Sequence, residues 1–427
     1  MLDKITPMTM VGSGSVEMRG PVVRTIRSAP VQALGRADTR FLGGPVLGDD
    51  PDSLRLRHTR RHTPVDEFAP ALVDPQPLVG SYAYLGIAFN HFGHAMSEMI
   101  HRIVPTRQLA FNPRWLIVTA RGANPTFTAL PSVSRTILAL FGIDETNCTV
   151  LASDAIVEEL LIVEAGSDLV GGPKPWYRDL MRGFVPGLLP CTTATYPARI
   201  YVSRSGLDTE SGFLGERVLE RLLAGAGFHI LHPERLSLRD QIAHYAAAQV
   251  LIFAEGSACH GVELFGADGL AHTILLNRRN KARNPFAGVL ASRSRRFDEF
   301  AGNPLLGSAH RGDGGVPLLH RGVTALALRE LAAFLDTAGV ARLGELPHAD
   351  YLAAAQADLD RYLTSAAPPA RVVPGAAAAL RGALAAAVRP DGSIAPVAPP
   401  TRPDPRPQER EARRLRRRAE RRAAAIR

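Results

Sequence analysis

The stretch that decides the fold of this chain runs from Arg199 to Asn277. It reads RIYVSRSGLDTESGFLGERVLERLLAGAGFHILHPERLSLRDQIAHYAAAQVLIFAEGSACHGVELFGADGLAHTILLN. Short apolar segments alternate with helical segments of about 10–15 residues, which is typical of a parallel sheet covered by helices on both faces. The sequence therefore predicts the α/β fold class. Ligands of such sheets bind beyond the carboxyl ends of the strands.

Polar residues follow each of the first three predicted strands of this stretch. Because these strand ends meet at one edge of a parallel sheet, we expect the polar side chains to lie close together. An arginine and a Gly-Ser turn at such an edge suit an anionic ligand. In chain order the residues are Ser203 and Arg204, then His232 and Glu234, then Glu255, Gly256 and Ser257.

The Gly-Ser turn and the arginine each have two interpretations. At Gly256 and Ser257 the backbone can approach a phosphate closely, with the N–H groups of the following helix pointing at it. The same residues also make an ordinary serine cap. Arg204 either pairs with a diphosphate through its planar fork or forms a surface ion pair. Their shared position at one sheet edge favours the phosphate interpretation of both.

A second cluster of chemically active residues lies in the helical segment that begins at Asn90 and is predicted to end at Val104. His94 and Glu98 are four residues apart and therefore lie on one helix face. A carboxylate beside an imidazole is a candidate general base. The alternatives are a surface His–Glu pair and a metal site that also includes His91. The spacing is not that of a zinc hydrolase.

Other motifs limit the function further. Glu234 is placed either to contact a ribose hydroxyl or to favour the dipole of the next helix. The chain contains no GxxxxGK[ST] sequence and no GxGxxG opening a Rossmann unit. Neither a P-loop nucleotidase nor nicotinamide chemistry is therefore supported.

Length and composition indicate a globular protein of two or three domains. The chain has 427 residues, 46% of them apolar and 21% charged, which excludes wholesale disorder. Three cysteines without a CxxC pair argue for a reducing compartment. We expect a cytoplasmic protein, because no apolar run approaches the roughly 20 residues of a membrane span and the first residues do not resemble a signal peptide.

The positive charge is concentrated at one end of the chain. Residues 402–427 contain 11 arginines and 4 acids, so this tail carries +7 of the net charge of +9. The rest is nearly neutral and does not resemble a basic nucleic-acid-binding core. The tail is predicted to be solvated and partly disordered. The alternative is peripheral contact with anionic lipid at the inner face of the membrane.

The predicted organisation has five parts. Residues 1–60 are predicted to be irregular, and residues 61–190 to form an N-terminal α/β domain. Residues 191–323 are predicted to form a Rossmann-like domain, with long loops over 278–315. Helices follow over 324–365, the first capped by a threonine. Residues 366–427 are predicted to be a flexible Ala/Pro-rich linker with the Arg-rich tail, containing one Ala-rich helix.

The chain contains three blocks of residues that form a family pattern. They are Asn90, His94, Glu98 and Arg102; Ile200 to Arg204 with Glu216; and Gly227, Phe228, His232, Pro233, Glu234, Leu238, Gln241, Ile242 and Glu255 to Ala258. Together these blocks resemble glycosyltransferase family 61. The resemblance implies a GT-B fold, with two Rossmann-like domains facing a cleft, residues 61–190 on the acceptor side and residues 191–323 as the nucleotide-sugar-binding domain. It also implies a metal-independent, inverting transfer of a hexosyl or pentosyl group from a nucleotide sugar. In bacterial members it implies the synthesis of capsular, exopolysaccharide or lipopolysaccharide glycans.

The resemblance also implies roles for individual residues. Base chemistry falls to Glu98 or His94, with the other residue orienting it. The expected partners are a nucleotide-sugar donor and a glycan or lipid-linked acceptor, with no cofactor and no specific nucleic acid. The acceptor-side residues are Asn90, His91 and Arg102. The donor-binding residues are Ser203, Arg204, Glu234, Gln241, Glu255, Gly256, Ser257 and Ala258.

Two other functions remain open from the sequence. One is a catalytically decayed GT-B scaffold that binds a nucleotide or a glycan, because a fold does not guarantee its chemistry. The other is a His/Glu metal hydrolase built on His91, His94 and Glu98.

Overall fold

The computed structural model describes residues 20–37, 40–109, 113–189, 195–207, 211–279, 284–312, 316–364 and 372–389. The predicted 402–427 tail and the Pro-rich linker before it lie outside these ranges. The strands of the first half are β1 (Val23–Ala37), β2 (Arg40–Pro45), β3 (Thr59–Arg60), β4 (Thr63–Pro64), β5 (Asp66–Glu67), β6 (Gln76–Ile87), β7 (Arg114–Val118), β8 (Cys148–Leu151), β9 (Ala155–Val163), β10 (Ser167–Asp168) and β11 (Gly172–Pro173).

The first half builds a seven-stranded mixed sheet in the order β5-β2-β1-β9-β6-β7-β8. Strands β9, β6, β7 and β8 are parallel, as a Rossmann-like domain requires. β1 instead runs antiparallel to both β9 and β2. The central strands bury apolar side chains on both faces, as expected for a covered sheet.

The prediction that residues 1–60 are irregular is wrong for β1, β2 and the helix Pro51–Leu56. Strand β1 buries Ala29 and Val31 and pairs with β9, whose residues lie more than 120 positions away in the sequence. Such a strand is stabilised by its partner rather than by its own pattern. Its proline and glycine residues conceal the two-residue period on which the prediction depends.

The second half contains the five-stranded sheet that the opening stretch predicts. Its order is β14-β12-β15-β16-β17, and all its pairs are parallel. In chain order this is 2-1-3-4-5, so the strand order reverses between β12 and β15. The strands of this half are β12 (Arg199–Val202), β13 (Phe213–Leu214), β14 (His229–Leu231), β15 (Val250–Ala254), β16 (Leu270–Leu276), β17 (Ser294–Phe300), β18 (Leu305–Gly307) and β19 (Val323–Ala325).

The helices, in chain order, are α1 (Pro51–Leu56), α2 (Phe92–His94), α3 (Ile103–Gln108), α4 (Ser132–Leu140), α5 (Pro175–Leu180), α6 (Phe184–Leu188), α7 (Glu216–Gly225), α8 (Leu238–Ala247), α9 (Pro285–Ala291), α10 (Leu328–Thr337), α11 (His348–Thr364) and α12 (Ala376–Ala387). Ser237 caps α8, because its side chain accepts a hydrogen bond from the backbone N–H of Asp240. None of the described helices is both long and apolar enough to cross a bilayer.

Four local predictions are wrong. The helix after Asn90 does not stop before Pro105, because this proline lies in the first turn of α3, where no backbone N–H is needed. The predicted loop region 278–315 contains α9, β17 and β18. Thr324 is a buried residue of β19 rather than a helix cap. The Ala-rich helix predicted within residues 366–427 is confirmed as α12, but this part of the segment is not flexible as predicted, because it packs through Leu380 and Leu384.

One apolar core connects the two sheets. A single cluster of buried side chains includes Met99 and Ile117 from the first half and Phe253 and Val262 from the second. A second cluster joins the five-stranded sheet to the C-terminal helices α10, α11 and α12. The α/β class is therefore confirmed. The GT-B arrangement of two domains facing a cleft, and the five domain boundaries, stay predictions.

Candidate active site

A cavity of about 690 Å³ opens where the strand order of the five-stranded sheet reverses. One wall carries Arg204, which follows β12, and Gly256 and Ser257, which follow β15. The opposite wall comes from the first half of the chain and includes His91 and His94. Open parallel sheets bind their ligands at this switch point. The fold thus brings the two predicted clusters to one cavity.

Arg204 and Gly256 lie in direct contact across the switch point. A Cβ atom on Gly256 would overlap the guanidinium group of Arg204, so glycine is required for this close approach. The backbone N–H of Arg204 donates to Oε1 of Glu216 at 2.9 Å. Its Nη2 donates to the carbonyl of Ser211 at 3.1 Å. These contacts fix the turn after β12 and hold the guanidinium at the cavity wall.

Further arginines join Arg204 at the same wall. Arg278 and Arg279 lie shortly after the end of β16, and Arg321 ends the 3₁₀ turn Leu319–Arg321; all three line the cavity. Burial, followed by the charges of Arg204 and Arg279, lowers the pKa of Arg278 to about 9. The group remains protonated at pH 7, but its charged form is destabilised. A bound anion would relieve this repulsion, so the wall is suited to a phosphate or diphosphate.

Glu255 orders these arginines from behind the wall. Its side chain is buried, and Oε2 accepts hydrogen bonds from the backbone N–H groups of Arg278 at 2.7 Å and Arg279 at 3.0 Å. Oε1 accepts a hydrogen bond from Nε of Arg279 at 2.5 Å. Glu255 therefore positions the arginines rather than facing a ligand, and it compensates one of their charges.

On the opposite wall, His94 is held by Glu98. Nδ1 of His94 lies 2.5 Å from Oε1 of Glu98. The side chain of Glu98 is 1% exposed, whereas that of His94 is 40% exposed and lines the cavity. Because an ionised carboxylate only accepts, the neutral form of the His94 ring carries its proton on Nδ1 and a lone pair on Nε2. This is the arrangement of a histidine base oriented by an acid.

Glu98 is fixed by two further residues that are distant in sequence. His58 approaches its Oε2 at 2.9 Å, and Arg60 donates to both oxygens at 2.7 and 2.9 Å. Burial raises the pKa of Glu98, but the hydrogen bonds from His58, His94 and Arg60 outweigh it and hold the pKa well below its usual range. Such a weakly basic carboxylate is poorly suited to take a proton near neutral pH. The structure thus favours His94 as the base and Glu98 as its orienter.

The backbone around this pair is irregular. Between α2 and α3 the chain forms a π-helical segment, Ala95–Met99, and then a 3₁₀ turn, Ile100–Arg102. Single π-helical turns are rare and occur frequently at functional sites. Across the cavity mouth, Val170 has φ +71°, an unusual value for a β-branched residue, and its side chain lines the cavity with Leu169. Both features are typical of a site whose geometry is maintained by its surroundings.

A second histidine–carboxylate pair lies beside the first. His260 lines the cavity, and its Nδ1 lies 3.2 Å from Oε1 of buried Glu263. Nη2 of Arg293 donates to Oε2 of Glu263 at 2.7 Å. On the other side of the carboxylate, Nε2 of His101 is 3.8 Å from Oε2. This buried network connects the helical stretch that carries Glu98 to the loop after β15.

The same network makes stability depend on pH. Burial lowers the pKa of His101 from 6.5 to about 4, with Glu263 opposing the shift. Between pH 6.5 and pH 4 His101 is therefore protonated in the unfolded chain but not in the folded chain. The free energy of unfolding falls as the pH drops through this window.

We expect the lowered pKa of His101 to contribute about 3 kcal/mol to the free energy of unfolding at neutral pH. His101→Asn, which keeps a polar partner for Tyr177, should lose this contribution in urea unfolding between pH 4.5 and 7. An unchanged pH dependence would contradict the assignment.

The predicted site residues divide into two groups. Five of them line the cavity: His91, His94, Arg204, Gly256 and Ser257. Two more, Glu98 and Glu255, hold lining residues from behind. Their roles stay predictions, but the fold brings the predicted acceptor-side and donor-side residues to one cavity.

The other predicted residues are outside the cavity lining. Ser203 donates to Glu216 and Glu220, and Gln241 donates to the carbonyls of Pro233 and Leu236. Arg102 donates to backbone carbonyls of the first half, where it is buried. These three side chains support loops. The remaining ones, Asn90, Glu234 and Ala258, do not line the cavity either.

Sequence reasoning missed several residues of the site. Arg278 and Arg279 follow β16 at the same sheet edge, so the strand-end argument applied to Arg204 also points to them. His260 lies only three residues beyond Ser257, but no local pattern separates it from an ordinary core histidine. His58 and Arg60 come from a short hairpin with no signal that connects it to Glu98.

A metal site receives no support from this geometry. Within the described ranges, no group of three or more His, Cys, Asp or Glu side chains is arranged to hold a metal ion. The carboxylate oxygens of Glu98 instead contact His94, His58 and Arg60.

The fold and the cavity together define an α/β protein in which an arginine-rich lining and a histidine–carboxylate pair share one cavity at the switch point of a parallel sheet. Residues 92–265 match the family model described as Glycosyltransferase 61. The matched span contains His94, Glu98, Arg204, Gly256 and His260. It supports the resemblance to glycosyltransferase family 61, and with it glycosyltransferase activity, a nucleotide-sugar donor and a glycan acceptor in general terms. No curated protein matches the chain.

Proposed function

We propose that this cavity transfers a sugar from a nucleoside diphosphate sugar to a hydroxyl group of a glycan or lipid-linked acceptor. The observation that carries the proposal is that one cavity contains both kinds of residue. Arg204, Arg278, Arg279 and Arg321 from the second half of the chain concentrate positive charge in its lining, and the base candidate His94 from the first half lines it too. A glycosyl transfer needs both features, one for the leaving diphosphate and one for the attacking hydroxyl.

In the proposed mechanism, Nε2 of His94 takes the proton of the acceptor hydroxyl. The acceptor oxygen forms a bond to C1 of the sugar while the bond from C1 to the diphosphate oxygen breaks. The electron pair of that bond leaves with the nucleoside diphosphate. Because attack and departure occur on opposite faces of C1, the transfer inverts the anomeric configuration.

The departing diphosphate is stabilised by the arginine wall. Arg204 and Arg278 are preorganised beside Gly256 and Ser257, where backbone N–H groups at the start of the Ser257–Leu264 3₁₀ helix add further donors. Fixed donors cost no reorganisation when charge develops in the transition state. We propose that these groups supply the charge stabilisation for a metal-independent transfer. Phe286 and Pro285, which also line the cavity, offer an apolar surface to the donor.

The proposal is tested by measuring binding and turnover separately. Purified full-length protein is titrated with UDP, GDP, UDP-glucose, UDP-N-acetylglucosamine and GDP-mannose by calorimetry, and release of nucleoside diphosphate is then measured. We expect at least one nucleotide sugar to bind and to be slowly hydrolysed. Binding without turnover in the presence of glycan acceptors would favour the decayed scaffold. The absence of binding at millimolar concentrations would contradict the proposed function.

Two finer points remain proposals of the same kind. We infer a role in cell-surface polysaccharide synthesis from the resemblance to the bacterial members of the family. We also propose that the arginine-rich segment 402–427 contacts anionic lipid. Co-sedimentation with anionic vesicles would test the second point, since deletion of the segment should remove a salt-sensitive part of the binding.

A further inference from the structure

His260 occupies the position between the two walls of the cavity. It belongs to the 3₁₀ helix Ser257–Leu264, which begins at the anion-binding turn. Its ring also reaches the opposite wall, because a Cβ atom on Gly93 would lie 2.9 Å from Cδ2 of His260. Gly93 immediately precedes the base candidate His94. His260 therefore contacts the cavity where the phosphate-binding wall and the base come together.

The proposed reaction requires the transferred sugar at this place. C1 of the sugar is bonded to the diphosphate before transfer and must be within reach of the hydroxyl that His94 activates. A side chain that touches both walls thus lies beside the sugar, and not beside the nucleoside. This placement of the sugar beside His260 rests on the proposed function.

The hydrogen bonding of His260 determines what its free edge offers. Glu263 is buried, and although burial opposes it, the charge of Arg293 and the hydrogen bond from His260 lower the pKa of Glu263 to about 2. The carboxylate is therefore ionised and can only accept, so Nδ1 of His260 carries the proton in the neutral ring. Nε2 then presents a lone pair, and no hydrogen bond to it occurs among the described residues.

The charged groups on this side of the cavity are hydrogen-bond donors. The guanidinium groups of Arg204, Arg278 and Arg279 are donors only, the backbone groups at the helix start are N–H donors, and the hydroxyl of Ser257 can donate or accept. The donors match phosphate oxygens, whereas the hydrogen of a sugar hydroxyl needs an acceptor such as Nε2 of His260. Sites that provide an acceptor for a substrate hydroxyl discriminate strongly against analogues that lack it.

We propose that His260 recognises the donor sugar, with Nε2 accepting a hydrogen bond from a hydroxyl group of the transferred sugar. Glu263 fixes the tautomer and the ring orientation. Arg293 holds Glu263 in turn, since its guanidinium is 1% exposed and also donates to the carbonyls of Phe265 and Val289.

Two isosteric variants test the proposal. His260→Asn keeps a donor near the Nδ1 position for Glu263 but removes the acceptor at Nε2. His260→Gln places an amide oxygen near the Nε2 position. Calorimetry gives Kd for the nucleotide sugar that binds the wild type most tightly and for its own nucleoside diphosphate. His272→Gln is the matched control, because His272 pairs with Asp298 at 2.7 Å and is outside the cavity lining.

We expect His260→Asn to weaken binding of the nucleotide sugar about tenfold while the nucleoside diphosphate binds within about twofold of wild type. His260→Gln should retain most of the sugar-dependent affinity, and the control should bind both ligands like the wild type. Equal weakening of both ligands by His260→Asn would assign His260 to the phosphates and overturn the inference. Unchanged binding of both would overturn it as well. If the wild type binds no nucleotide sugar, the proposed function itself fails.

Discussion

His94→Ala is expected to transfer sugar about 10²–10⁴ times more slowly than the wild-type protein, which is the usual contribution of a positioned general base. Of the three described side chains that contact the Glu98 carboxylate, His94 is the one that lines the cavity, and Glu98 itself is 1% exposed. The variant should still bind the nucleotide sugar, because the arginine wall is untouched. The measurement is the rate of sugar transfer at saturating donor, together with Kd for the donor.

Glu98→Gln separates the two possible assignments of the base. If Glu98 orients His94, the double variant His94→Ala/Glu98→Gln should be no slower than His94→Ala, because residues that act as a unit are not additive. A much slower Glu98→Gln with a nearly normal His94→Ala would instead make Glu98 the base. Thermal unfolding must accompany these rates, since Glu98 also holds His58 and Arg60.

Arg204→Ala is expected to lower kcat/KM about 10²–10³ fold and to weaken the binding of the nucleoside diphosphate. The reason is that a fixed cation at the leaving group is lost from a wall where it is preorganised by Gly256 and Ser211. Arg204→Lys should recover only part of this loss, because an ammonium group lacks the planar fork that pairs with a diphosphate.

Arg221→Ala is the matched control for this experiment. Arg221 is an exposed arginine on α7, in the same half of the chain as Arg204, and it does not line the cavity. It should leave kcat/KM within about twofold of wild type, because surface substitutions away from special features have small effects. Wild-type kinetics in both Arg204→Ala and His94→Ala would remove the assignment of this cavity as the active site.

The parallel sheet was predictable from the sequence because its evidence is local. Strands such as β15 are short runs of buried apolar residues, and the helices between them have a helical period. The contact between Arg204 and Gly256 follows from topology, because parallel strands place their carboxyl ends at one edge. The same logic extends to Arg278 and Arg279 after β16.

The supports of the site were not predictable in this way. Glu98 is held by His58 and Arg60 from a hairpin about 40 positions earlier, and no periodicity connects them. Whether Glu98 or His94 is the better base depends on these contacts, since they lower the pKa of the carboxylate. The antiparallel pairing of β1 with β9 is likewise a long-range contact.

The sequence by itself determined the alternation of parallel strands and helices over Arg199–Asn277, and the sheet edge at which Arg204 and the Gly256-Ser257 turn come together. The tertiary structure alone decided which side chains converge on the Arg199–Asn277 stretch from elsewhere. It placed His94 opposite Arg204 and set His260 between them, and it buried Glu98, Glu255 and Glu263 behind the lining residues. The physical reason is that periodicity and turn chemistry act over a few residues, whereas burial and charge pairing depend on neighbours that only the folded chain brings together.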